Sequence, residues 1–439
     1  MDDLLAARLQ MAISLGFHIL FAVAGMAMPL LMVLAEWRHR RTGERAYREL
    51  AERWSKGTAI LFAVGAVSGT VLSFELGLLW PRFMAYAGPL IGMPFSLEGF
   101  AFFLEAIALG IYLYGWDRVS PAIHLASGVV VALSGLMSGV FVVAVNSWMN
   151  TPRGFRLDPA GNPVDVDLVA AFFTPAFPTQ AAHMAVAAYT SVSFAVLAIH
   201  AFRLLRDPQS AFHRAALAVV LPLAVVCAPL QALTGDLAAK HLHAHQPLKL
   251  AAAEALFQTQ AGAPFLIGGW PDLEAHEVHA GLHVPKLLSV LATKDPNGVV
   301  RGLSDFPRQD WPPVPIVHVA FQIMIGCGTL LLLVAAWGFF LALRRRSPAA
   351  TPRFLRALVL AGPLGLIALE AGWVVTEVGR QSFIIQGVMR VRDAVTPVPG
   401  LRVSLAVTTL IYLLLGAIVL LMLVRHVLSV PATELDPTR

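Results

Sequence analysis

Glu370 and Glu377 stand on either side of Trp373 in a run that is apolar from about Leu355 until it ends in Gly379-Arg380-Gln381. A carboxylate inside a bilayer costs about 3 kcal/mol or more unless something there uses it, so Glu370 reads first as a working group. Three more residues with iron-binding side chains lie in apolar runs: His18, His183 and Met324. Neutral imidazole and thioether suit a six-coordinate, electron-transferring haem, whereas a carboxylate or lone histidine leaves one face of the iron open. Taken singly, each has a plainer explanation. A histidine in a span is often a packing residue, and Met324 alone is core filler of the kind Met26, Met28, Met137 and Met184 represent. Glu98 and Glu105 form a second constellation. Seven residues apart, they share one helix face about 10 Å apart along its axis, where burial favours the protonated form and lets such a pair pass protons on. The plainer alternative is two glutamates facing a polar groove or an arginine.

These residues must be positioned by membrane-spanning helices. The chain has 439 residues, 57% of them hydrophobic and only 13% charged, with a mean hydropathy of +0.70. A soluble domain carries about 25% charge. Apolar blocks about 20 residues long fit helices that cross a bilayer. Nine are expected, at 10–34, 57–80, 95–116, 122–147, 180–203, 213–234, 315–342, 355–377 and 403–427. The fold class is therefore an all-α integral membrane protein, one polytopic domain over 1–439 with a long loop, 235–314, between the sixth and seventh spans. The acidic opening Asp2-Asp3 lacks the basic start of a cleavable signal, so the first apolar run is expected to be a retained span.

Loop charge sets the orientation. Arg38, Arg40, Arg41, Arg45, Arg48, Arg53 and Lys56 follow the first span; Arg203, Arg206 and Arg214 follow the fifth; Arg344, Arg345, Arg346, Arg353 and Arg356 follow the seventh. With nine spans all three groups fall on one side, and short-loop Lys/Arg marks the cytoplasm. The N-terminus and the long loop are then outside and the C-terminus inside. His18, His183, Met324 and Glu370 all fall in the outer half; Met324 is ~14 Å below the mouth of its span. Four potential ligands at one depth on four helices suggest haem held between helices.

The net charge of +5 is no sign of nucleic acid, because the basic residues sit beside spans. Cys227 and Cys327 lie in apolar segments, and the absence of C-x-x-C-H and Cys/His zinc spacings excludes covalent c-type haem and cysteine-bound clusters. In the long loop, His241, His243 and His245, and His276, His279 and His283, do not form H-E-x-x-H and do not favour a metal site. Lys249 and Glu254 bracket an Ala-rich turn that by itself reads as a solvated helix.

Together these motifs resemble subunit I of the cytochrome bd-type quinol oxidases, across essentially the whole chain. Gly372-Trp373 through Glu377, Gly379, Arg380 and Gln381 is similar to the family's G-W-x-x-x-E-x-G-R-Q signature. Glu98 to Glu105, Gly115-Trp116-Asp117-Arg118, Ser14 to His18 and Phe321 to Met324 match further family contexts, and the loop resembles the short-loop branch. The chain departs from the pattern at Ser382-Phe383, Gln322, Leu366 and Leu79.

The resemblance implies an electrogenic quinol:O2 oxidoreductase of the bacterial inner membrane. His183 and Met324 would bind a low-spin haem b. His18 and Glu370 would bind the two high-spin haems, one of haem b and one of haem d, or a third haem b in its place. Trp373 and Arg380 would contact the cofactors, Arg380 through haem propionates. Glu98 and Glu105 would carry protons to the O2 site, and Lys249 and Glu254 would hold quinol in the periplasmic loop 235–314. The resemblance also implies a second, related integral subunit and allows a single-span accessory one. A haem-free transporter using buried carboxylates to move protons or ions is the alternative from another class.

Overall fold

A computed structural model describes residues 2–428. Among these residues, nine helices are long and apolar enough to cross a membrane: Asp3–Thr42, Arg45–Leu79, Pro81–Tyr114, Pro121–Asn150, Phe177–Arg206, Ala211–His245, Val314–Leu343, Pro352–Val378 and Leu401–Leu428. They are called the first to ninth spans. Most run beyond the apolar windows that mark them, because polar residues of good helix propensity continue each helix past the bilayer. The sixth continues to His245, so the connection expected from 235 begins only after it.

The ends are fixed by local chemistry. The Asp2 carboxylate accepts from the Leu5 amide at 2.7 Å, and Ser120 caps the fourth span. Gly43 ends the first span at φ +74°, a left-handed geometry that glycine takes without steric cost. The eighth span, expected as one helix, is broken into Pro352–Ala361 and Leu364–Val378. Pro363 lacks a backbone donor there, and a side chain on Gly362 would meet Ala198 Cβ at 2.5 Å, so the break lets the fifth span approach.

The first and fifth spans are the most enclosed, and the ninth is the least. The main core runs through both enclosed helices and includes Leu31, Met32, Leu50, Phe194, Leu197 and Phe354. Exposed Phe74, Phe100, Phe103 and Leu410 give the second, third and ninth spans apolar outer faces. At the basic end of the bundle, buried Glu36 bonds Arg40 and stands 3.0 Å from His124 Nδ1, while Arg48 reaches Asp117 at 2.5 Å.

At the opposite end the connection after the sixth span is folded. Helix Pro247–Glu254 is followed by three two-stranded antiparallel ladders, Gln260–Ala261 with Val299–Val300, Phe265–Ile267 with Leu282–Val284, and Trp270–Asp272 with Glu277–His279. The seventh span holds this loop from below. His318, fully buried, places its ring nitrogens 2.8 Å from Ala253 O and 3.2 Å from Gly268 O. One turn on, the Gln322 amide accepts from Gly268 N at 2.9 Å and donates to Leu266 O at 3.0 Å.

Candidate functional site

The four candidate ligands are seated against glycines of neighbouring helices. A Cβ on Gly69 of the second span would lie 2.9 Å from His18 Cε1, and one on Gly16 of the first span would lie 3.3 Å from Glu370 Oε2. A Cβ on Gly372 of the eighth span would lie 3.1 Å from Met324 Sδ, and one on Gly235 of the sixth would lie 3.4 Å from His183 Cε1. Met324, Gly372, Glu370, Gly16, His18 and Gly69 thus trace one line across the seventh, eighth, first and second spans. Sequence reasoning expected the four candidate ligands at one depth and missed the glycines, which carry no side chain to signal a role.

Hydrogen bonds fix both imidazoles. Ser68 Oγ lies 3.0 Å from His18 Nδ1 and is held to its own helix by Val64 O at 2.9 Å. Thr234 Oγ1 likewise donates to Leu230 O and lies 3.1 Å from His183 Nδ1. In each case a hydroxyl stands at Nδ1, the kind of outer partner that orients the ring of a metal-binding histidine. The Gln231 amide nitrogen lies 3.1 Å from His183 Nε2, while Gln231 Oε1 has no partner.

Glu370 has a buried Oε1 without a hydrogen-bond partner. It borders an apolar groove of about 750 Å³ between the seventh and eighth spans, lined also by Leu20, Ile316, Ile323, Leu366 and Val374. That volume lies within the range of cofactor sites. Trp373 packs at the edge of the main core.

Glu98 and Glu105 both face the fourth span. Ser138 donates to Glu98 Oε1 at 3.2 Å. Glu105 is 4% exposed and fits where Gly25 and Gly135 leave room: a Cβ on Gly135 would meet Glu105 Oε1 at 3.1 Å, and that oxygen has no partner. Ser138 and Gly135 are three residues apart on the same helix face, which completes an acidic seam between the third and fourth spans.

A separate polar cluster closes the loop end. Buried Lys249 bonds Asn150 and lies 3.3 Å from Thr376 O. Asn146 bonds Glu377, which pairs with Arg380; Arg380 also bonds Ile384 O, and its Nε has no partner. Burial, and then the Arg380 charge, pull the Lys249 ammonium down to about 7. Burial pushes the Glu254 carboxyl up to about 8. The two do not meet. Lys249 turns to the fourth and eighth spans, and Glu254 toward the backbone at Leu266, with Oε2 unpartnered. Asn146 and Asn150 went unrecognised in the sequence. Their signal was two amides at i, i+4 at the end of a largely apolar helix.

Alanine at Gly69 is expected to displace the His18 ring, because its Cβ falls inside contact distance. Any metal group on that ring should lose occupancy by about tenfold or more. Gly235→Ala, at an ordinary 3.4 Å contact, is the control that should leave the His183 ring in place. Pigment content of the two purified variants checks the pair.

Comparisons place the chain among known proteins. The sequence family described as cytochrome bd terminal oxidase subunit I matches residues 6–431. A Bacillus subtilis protein named as a cytochrome bd menaquinol oxidase subunit I is 36% identical over 99% of this chain and 98% of its own. Subunit 1 of the Escherichia coli cytochrome bd-II ubiquinol oxidase is 28% identical over 87% of this chain and 88% of its own. The bd oxidase structure from Geobacillus thermodenitrificans superposes with a TM-score of 0.93 at 38% identity, covering 98% of this chain and 99% of that one.

Proposed function

The chain belongs to the cytochrome bd terminal oxidase subunit I family, and from that premise we propose that it is the haem-bearing catalytic subunit of a membrane quinol:O2 oxidoreductase. The observation that carries this is the line Met324–Glu370–His18, each side chain seated on a glycine of the next helix. The donor set fits haem: two imidazoles each oriented by a hydroxyl at Nδ1, a thioether, and a carboxylate with an orphaned buried oxygen. His183 and Met324 hold a low-spin haem b. His18 and Glu370 hold the two high-spin groups, a haem b and a haem d or a third haem b. When bound, haem supplies the one-electron transfer and the reduction of O2.

The basic ends of the bundle face the cytoplasm, and loop 235–314 and the N-terminus face the periplasm, with the C-terminus inside. Quinol binds at the loop, where Lys249 holds its hydroxyl and Glu254 takes a proton. Two quinols and one O2 give two quinones and two waters. The quinol protons leave on the loop side. The protons for water enter from the cytoplasm and are held in turn by Glu105 and by Glu98, which Ser138 orients. Charge separation follows from the opposite sidedness of the two proton reactions. Arg380 and Trp373 line the cofactor region, and a second integral subunit completes the complex.

A haemless transporter would use the same carboxylates but gives no reason for a thioether and two buried imidazoles, each held by a hydroxyl at Nδ1. Oxygen-electrode turnover of the purified complex with menaquinol and ubiquinol analogues tests the proposal. Quinol-dependent O2 uptake is expected, and a colourless preparation without uptake would overturn it.

The loop residues also set a pH response. Glu254 acts as base once its proton is lost through about 8, and Lys249 acts as donor until it deprotonates through about 7. With the base above the acid, kcat/KM rises with pH toward 7, is flat between about 7 and 8, and falls above. Glu254→Gln should abolish the rising limb and Lys249→Met the falling one, read from steady-state turnover across that range.

A further inference from the structure

Two turns outward from Ser68 on the second span lies Glu75, about 10 Å further along the helix. It is 5% exposed, and the family reading gives it no role. Its Oε1 accepts from Gln10 Nε2 at 2.8 Å, and its Oε2 has no partner. Ser14 of the first span, one turn from His18, faces both Glu75 and the Tyr412 hydroxyl of the ninth span. Ser14 Oγ, Gln10 Oε1 and Tyr412 OH are likewise buried, and none makes a hydrogen bond of good geometry. Four orphaned oxygens from three helices therefore converge in one enclosed place. A buried oxygen left unsatisfied costs about 1–3 kcal/mol, so a hydrogen-bonding occupant of this place is favoured. The surroundings supply no countercharge. Gln10 and Ser14 on the first span are neutral, Tyr412 is the titratable group facing from the ninth, and among the described residues no cationic side chain makes an ion pair with Glu75.

We propose that Gln10, Ser14, Glu75 and Tyr412 form a buried hydrated proton site on the loop side of His18, in which Glu75 carries the proton and water satisfies the remaining oxygens. Water supplies both donors and acceptors, and enclosed polar sites of this kind hold it in preference to standing empty. The site is separate from the Glu98–Glu105 seam, which lies between the third and fourth spans. It goes beyond the oxidase reading and does not depend on it.

Infrared difference spectra of the purified complex in H2O and D2O test it. The wild type should show a protonated-carboxyl C=O band that shifts down in D2O, and Glu75→Gln should lose that band. Tyr412→Phe should keep the band and move its frequency, because a neighbouring hydroxyl is gone. Should Glu75→Gln fail to assemble, the Tyr412→Phe shift alone decides. Replacing sodium and potassium by a bulky organic cation should leave the band unchanged. Spectra identical in wild type and Glu75→Gln, an unmoved band in Tyr412→Phe, or a band that appears only without alkali cations would overturn the proposal, the last by showing that a metal cation holds the carboxylate.

Discussion

Leucine at Met324 is expected to abolish the low-spin haem signal while leaving the high-spin bands. Leucine keeps the volume of the side chain at a cost usually under about 1.5 kcal/mol, so the helix pair stays packed. What it removes is the sulfur, which lies 3.1 Å from the position a Cβ on Gly372 would take. The neighbouring proposed ligands His18 and Glu370 are seated on other contacts, against Gly69 and Gly16, and should be untouched. Quinol-driven O2 uptake should fall to the background of the preparation. Reduced-minus-oxidised spectra of the purified variant check this, and uniform loss of all haem would contradict the assignment.

Glu105→Gln is the second large effect. The exchange is nearly isosteric in a slot bounded by Gly25 and Gly135, so haem content should not change. The amide cannot take up and release a proton, and positioned acid–base groups contribute factors of about 10² or more. Turnover should drop by about 10²-fold at unchanged quinol KM. Unchanged turnover would remove Glu105 from the proton route. Ser138→Ala, which takes only a neutral donor from Glu98 at 3.2 Å, should have a much smaller effect on the same assay.

The legible parts of this protein were those written in local pattern. Apolar runs of bilayer length yielded the spans, because a buried helix in lipid must be apolar nearly all round. The spacing of Glu98 and Glu105 put them on one face without further information, and both face the fourth span. What stayed hidden depends on residues far apart in the chain. Lys249 is buried by Asn150, 99 residues away, so a helix that looked solvated is enclosed. Glu75 lies near the edge of an apolar run, where a glutamate normally reaches water; the first span, with Gln10 and Ser14, and the ninth, with Tyr412, enclose it. The ladders in the loop are two or three residues long, too short for alternation to register. The break at Gly362-Pro363 was visible as a dipeptide, but proline within a span is common in this chain, at Pro29, Pro94 and Pro222, without ending the helix.

The structure also recasts the loop residues. Lys249 and Glu254, expected as a pair, point to different neighbours and are each buried. Lys249 shares its surroundings with Glu377, Arg380, Asn146 and Asn150, which tie the signature at the end of the eighth span to the loop. His318 and Gln322 do the same from the seventh span, six and two residues before Met324. The quinol loop and the low-spin site are therefore parts of one packed unit in the proposed enzyme.

A cryo-electron microscopy map of the purified complex, at a resolution that shows porphyrin, tests the central claim most directly. It should show iron bonded by His183 and Met324 in one group, and by His18 and Glu370 in two others. Continuous protein packing between these helices, or ligand side chains turned toward lipid, would contradict it.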